Sequence, residues 1–259
     1  MHAAGGAWMI DFDSPFILFA IALLAQGLAV YVGELLGARK RRLTDDERKD
    51  FDVVQSATLT LLALIIGFSF SMAVTRYDLR KSYEEAEANA IGTEYVRADL
   101  LPADDVASAR KLLREYLDRR IAFYSARDDR TVARIDEDTR KLQGELWSAI
   151  LRPANAQPNP VMALVVSGMN DVLNSQGYTQ AAWLNRIPVA AWLMMGVIAI
   201  AANLMVGYGA RRSRALLFSL PVIGSVAFLL IADIDSPRGG LIRVRPQNLI
   251  ALSHSMRAQ

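Results

Sequence analysis

The chain has 259 residues, 53% of them hydrophobic and 22% charged, with no cysteine, two histidines and a formal net charge of +2. A balance this near neutral carries no polyanion-binding footprint, so nucleic acid is not an expected partner. The lack of Cys removes thiolate metal sites and Cys nucleophiles, and His2 and His254, at opposite ends of the chain, leave almost no material for a His-based metal cluster or a Ser-His-Asp triad.

Mean hydropathy is nevertheless positive, +0.20, which requires blocks of apolar sequence. Four uncharged runs supply it: 15–33, continuing through Glu34 to Gly37; 53–75; 187–210; and 215–232, the last interrupted by Pro221 and Gly224. Each is long enough to cross a hydrocarbon core of about 30 Å as a helix, and none alternates as a half-buried strand would. Residues 1–14 hold Asp11 and Asp13 and no Lys or Arg, so the basic region of a cleavable signal peptide is missing and the segment should stay attached. Arg39, Lys40, Arg41 and Arg42 follow the first span, and Arg211, Arg212 and Arg214 join the third to the fourth. Short basic loops stay cytoplasmic, which puts both termini and the long segment 76–186 outside.

Segment 76–186 is charged and helix-favouring. The second span should run on without a breaker to Leu101, where Pro102 stops it. Asp104 and Asp105 can cap a helix reaching about Ser125, with Val106, Leu112, Leu113, Leu117, Ile121 and Tyr124 as its apolar stripe. A further helix fits 131–151, burying Val132, Ile135, Leu142, Leu146, Trp147 and Ile150. After a loop holding Pro153, Pro158 and Pro160, another fits about 161–175. Each stripe needs a partner, so an up-and-down bundle sitting on the membrane as a cap is expected, with Trp147 and Tyr116 in its core. The domains expected are 1–75, 76–186, 187–232 and a C-terminal tail 233–259.

Polar and small residues within the spans are the informative ones, because lipid offers them no partner. Ser56, Thr60, Ala63, Gly67 and Ser71 recur at spacings of four, three, four and four, on one side of the second span. Such a stripe serves close helix packing; in a ring of subunits it also serves as a pore lining, with Gly67 at a narrow point and hydroxyls replacing ion hydration. Gly196, Ala199, Asn203 and Gly207 form a weaker counterpart in the third span. Glu34, about one turn inside the cytoplasmic end of span one, is either a tolerated interfacial acid paired with Arg39, Arg211 or Arg212, or a transport residue. At the opposite face Arg76 and Asp78 leave span two where Asp233 and Asp235 leave span four. These four either pair or form a charged extracytoplasmic mouth that selects ions.

The combination of two spans with a basic turn, the sequence at 85–90, Leu-Leu-Pro at 100–102, Leu-Leu-Arg-Glu-Tyr at 112–116 and the element at 234–244 resembles the bestrophin-like domain family of bacterial membrane proteins, whose function is not known. The resemblance covers nearly the whole chain. Its most specific part follows the last span, where Asp235, Pro237, Gly240, Arg243, Val244 and Pro246 match the family turn and Ser236 stands where Arg is usual. Physically this element is a chain reversal: Pro237 cannot continue the helix, Gly239 and Gly240 permit positive φ, and the tail 241–251 can return to the helical cap. The family name implies likeness to bestrophins, pentameric anion channels with four spans per subunit. Bestrophins carry their middle domain in the cytosol, and their calcium clasp and hydrophobic neck have no clear match in this chain.

The expectation is therefore an all-α protein with four spans and an extracytoplasmic helical bundle, acting as an oligomeric ion channel or channel-like protein of the bacterial inner membrane. Its partners would be the lipid bilayer, further copies of itself and inorganic ions. The rival is a non-transporting receptor or adaptor whose bundle binds a ligand or envelope partner. No enzyme activity and no cofactor are expected, since no nucleophile, metal site or acid-base pair stands out.

Overall fold

Apolar runs this long leave the backbone no polar partner but itself, and helix is the solution adopted. The computed structural model describes residues 14–39, 44–209 and 214–258, and these contain helices and no strand. In chain order they are α1 (Pro15–Arg39), α2 (Asp45–Arg97), α3 (Ala103–Ser125), α4 (Asp129–Ala156), α5 (Pro160–Leu184), α6 (Val189–Gly209), α7 (Arg214–Asp235) and α8 (Gln247–Ala258), with a single 3-10 turn at Ala98–Leu100. Four stretches, in α1, α2, α6 and α7, are long and apolar enough to cross a membrane. The chain divides into two compact units, one of residues 1–75 and 186–242, the other of residues 76–185 and 243–259.

In the first unit α1 lies against α6 and α7. Ala22, Gln26, Ala29, Val30 and Gly33 face inward from α1, and Met195, Ala199, Ala202, Asn203 and Gly207 from α6, each set at three- and four-residue spacing. Glycine makes the crossing possible. A Cβ on Gly33 would collide with the Leu204 carbonyl, one on Gly207 with the Val30 carbonyl, and one on Gly37 would stand 2.6 Å from the Tyr208 carbonyl oxygen. The Asn203 amide donates to Gln26 Oε1 at 3.0 Å and the Gln26 amide donates to Ser225 Oγ at 3.2 Å. This neutral network ties α1, α6 and α7 together, each bond being worth about 0.6 kcal/mol in a membrane bundle. α7 runs unbroken through Pro221 and Gly224, where an interruption was expected. Proline inside a membrane helix gives up one backbone bond without ending it, because neighbouring helices and local adjustments satisfy the freed group.

In the second unit α3 pairs with α4, α4 with α5 and α3 with α8. Ile91, Leu113, Tyr116, Leu117, Leu146, Ile150, Val165, Met169, Val172 and Leu249 are buried in one cluster, each contributing about 1.5–3 kcal/mol if a full aliphatic side chain is hidden. Tyr116 is core as expected, whereas Trp147 is half-buried at the cluster's edge. α8 joins this core, so the tail does return to the helices of this unit.

Local chemistry explains where the helices depart from expectation. Asp104 and Asp105 stand in the first turn of α3 rather than capping it, since Pro102 occupies the N-cap; there they meet the positive end of the helix dipole. α4 continues through Pro153 to Ala156. α5 begins at Pro160, which lacks an N–H where a helix would leave one unpaired in any case, and Asn159 caps it by accepting the Met162 N–H at 2.9 Å. It then extends to Leu184, nine residues past the expected end, because Gly177 weakens a helix without ending it and the next proline is Pro188.

Candidate functional site

α2 carries most of the residues singled out from sequence. In its first half, Leu62, Ser69 and Ala73 are buried. At about 100° per residue these three lie within a narrow sector, and the mean direction of Ser56, Thr60, Ala63, Gly67 and Ser71 lies about 140° round the helix from it. All five are exposed. Nothing stands within 4 Å of a Cβ built on Gly67. The Thr60 hydroxyl donates to the Ser56 carbonyl at 2.8 Å and Thr75 to the Ser71 carbonyl at 2.9 Å, so these hydroxyls turn back on their own helix and need no neighbour. The row in the third span behaves differently: Ala199, Asn203 and Gly207 are buried against α1, and only Gly196 is open.

Glu34 is half-buried near the C-terminal end of α1, with its backbone beside Gly207. Of its expected partners, Arg211 and Arg212 lie outside the described residues.

The four residues expected at the mouth divide between the two units, and the bonds described here lie within each unit. Arg76 donates to Asn185 Oδ1 at 3.4 Å and Asp78 is exposed. Asp233 accepts the Leu241 and Ile242 N–H groups at 2.6 and 2.8 Å, while Asp235 accepts the Ile187 N–H, leading into α6, with both oxygens at 3.1–3.2 Å. The two aspartates thus organise the reversal after α7, with Ser236 Oγ taking the Gly239 N–H at 3.1 Å. No described glycine has positive φ, which corrects the reason given for Gly239 and Gly240. Gly240 is required by close approach, because a Cβ there would collide with the Asp233 carbonyl. Of the other matched turn residues, Val244 is buried and Arg243 half-buried.

The second half of α2 holds the charges that sequence reading did not single out. Arg80, Glu84, Glu87 and Glu94 are all buried at helical spacings of four, three and seven, on one face. Arg80 donates to the Ala182 and Asn185 carbonyls at 3.3 Å, a cation at the C-terminal end of α5. Glu84 accepts the Asn248 and Leu249 N–H groups at 3.0 Å and the Asn248 amide at 2.7 Å, an anion at the N-terminus of α8. Glu87 pairs with Arg120, both 0% exposed, and accepts from Tyr124 and Thr179 as well. Burial first, and Glu87 second, push the Tyr124 phenol well above its usual range. Glu94 is 1% exposed, and neither carboxyl oxygen has a hydrogen-bond partner among the described residues. Arg120 escapes sequence inspection because a cation inside an apolar stripe reads as the stripe's edge, and its partner lies 33 positions away. The regular recurrence of acids on α2 was the available signal.

Among the described residues there is no group of three His, Asp or Glu placed to hold a metal. Against curated protein sequences the chain finds no match. Its fold is similar to that of a bacterial bestrophin homologue from Klebsiella pneumoniae. A leucine-to-threonine variant of that protein superposes with a TM-score of 0.65 at 14% identity, over 95% of this chain and 99% of the other. The structure phased on zinc gives 0.63 at 15% identity, over 93% and 95%. Likeness at this identity establishes the fold. The sequence profile of the bestrophin-like domain matches residues 21–249, and with four apolar helices and this fold the chain belongs to the bestrophin-like domain family.

Proposed function

We propose that the chain is a subunit of an oligomeric ion channel of the bacterial inner membrane, with the first half of α2 turned to the axis. The observation that carries this reading is the exposure of Ser56, Thr60, Ala63, Gly67 and Ser71 on the side of α2 away from its own packed residues. A stripe needed for packing inside one subunit would be covered, as the Gly33–Gly207 crossing is. Hydroxyls beside an open glycine offer a permeating ion polar contacts at little steric cost. Membership of a family named for its likeness to anion channels supports the same reading. Basic residues beside the ends of α1 and α7 put those ends in the cytoplasm, and the second unit then forms a periplasmic cap, with both termini on that side. On this reading no catalysis occurs; the partners are the bilayer, further copies of the chain and inorganic ions.

Purified protein in liposomes tests this. Flux of a small ion is expected, with Gly67→Trp reducing it at least tenfold while leaving the protein folded. No flux at any pH or voltage, with the protein monomeric in lipid and one stoichiometric envelope partner recovered with it, would replace the channel by the adaptor.

A further inference from the structure

Three of the four buried charges on the second half of α2 are satisfied by a helix terminus or an ion pair. Glu94 is the exception. It is 1% exposed, and both of its oxygens lack a hydrogen-bond partner among the described residues. It faces α5 at Gly168, where a Cβ would collide with Glu94 Oε2 and also with Arg97 Nη1. The glycine therefore makes room for this carboxyl and for the guanidinium beside it. A dry carboxylate with no bond is among the least favourable groups a protein interior can hold, whereas the neutral acid tolerates it.

The surrounding charges are few. On α2, Arg97 favours the ion; on α5, Asp171 opposes it. From α3, Arg110 and Arg114 lie over the Tyr95 ring, and Arg110 bridges to Asp99 at 2.7 Å. On α8, His254 is exposed and Arg257 bridges to Asp118 at 3.6 Å. Beside Arg97 an open cavity of about 600 Å³ is lined by Asn89, Thr93, Arg97 and Asn248 among others, from α2 and α8. The guanidinium thus has a wet side as well as the side toward Gly168.

We propose that Glu94 is a proton-operated latch: as the neutral acid it lies dry against Gly168 and keeps α2 closed on α5, and on losing its proton it draws Arg97 or water inward and loosens that contact. Burial, ahead of the opposing pull of Arg97 and the push of Asp171, raises its carboxyl to about 8 from an ordinary 4.5. A folded-state value above the unfolded one means that the folded protein holds the proton more tightly. The stabilisation is therefore complete below about 4.5 and is lost as pH rises to about 8. The latch works within the second unit and does not depend on the channel reading.

The test uses the full chain in detergent or nanodiscs, comparing wild type with Glu94→Gln, which is neutral at every pH. The wild-type melting temperature should fall by about 5 °C or more between pH 6 and pH 9 relative to the variant. Amide exchange at residues 168–172, corrected for the intrinsic pH dependence, should quicken over the same interval in wild type alone. Asp171→Asn supplies a second arm that stands even if Glu94→Gln fails to fold: removing that charge should shift the midpoint of the wild-type transition to lower pH. Parallel pH profiles for wild type and Glu94→Gln would overturn the proposal, and so would a midpoint unmoved in Asp171→Asn.

Discussion

The two halves of α2 are opposite in design. In the first half the buried positions are Leu62, Ser69 and Ala73 while Ser56, Thr60 and Ser71 are exposed, whereas in the second half the buried positions include Arg80, Glu84, Glu87 and Glu94. One continuous helix thus turns most of its hydroxyls outward over one stretch and four of its charges inward over the next. The difference follows from the solvent available to each surface. In the apolar stretch the Thr58, Thr60 and Thr75 hydroxyls satisfy themselves on their own backbone, so they cost little wherever they face. In the charged stretch a buried ion survives only with a partner of opposite charge or a helix end, and three of the four have one. The first half therefore leaves its surface open for other subunits or ions, and the second half spends its polar groups on holding a bundle together.

Substitutions along α2 should reproduce this contrast as a descending series. Glu87→Ala leaves Arg120 buried and uncompensated, and should destabilise the protein by about 3–5 kcal/mol, read as a large drop in thermal unfolding temperature; the double variant with Arg120→Leu should recover part of the loss. Glu84→Ala removes the anion from the start of α8 and three hydrogen bonds with it. A cost of about 2 kcal/mol is expected, together with faster proteolysis near residues 247–258, and an α8 as protected as before would mean that Leu249 and Met256 suffice to dock it. Thr60→Val, on the exposed stripe, should change stability by no more than about 0.5 kcal/mol. If Thr60→Val proved as costly as Glu84→Ala, the stripe would be a packing surface and the contrast between the halves would collapse.

The same division governs what could be read without coordinates. Helix class, the four apolar spans and the run of α2 past Thr75 follow from local composition and the placing of Pro102, because helix formation and membrane crossing are decided by neighbouring residues. The last third of α5 is not legible from sequence, because Gly177 reads as a stop signal just past Ser175 and only packing carries the helix on to Leu184. The core of α3 was legible through Leu113, Leu117 and Tyr124, but Arg120 was not, since a buried cation makes sense only beside Glu87.

What the sequence by itself determined is therefore the all-helical class, the membrane-crossing segments and the family turn at Asp235 and Pro237, each a consequence of hydropathy or of a residue's own backbone limits. The tertiary structure alone decided which small residues are covered. Gly33 and Gly207 disappear into a helix crossing and Gly67 stays open, although all three are glycines in apolar helices. Small side chains permit close approach without requiring it, so only the position of the facing helix distinguishes a seam from a free surface. Likewise the capping of α8 by Glu84 and the isolation of Glu94 depend on which chain ends arrive beside α2, and no local pattern encodes that.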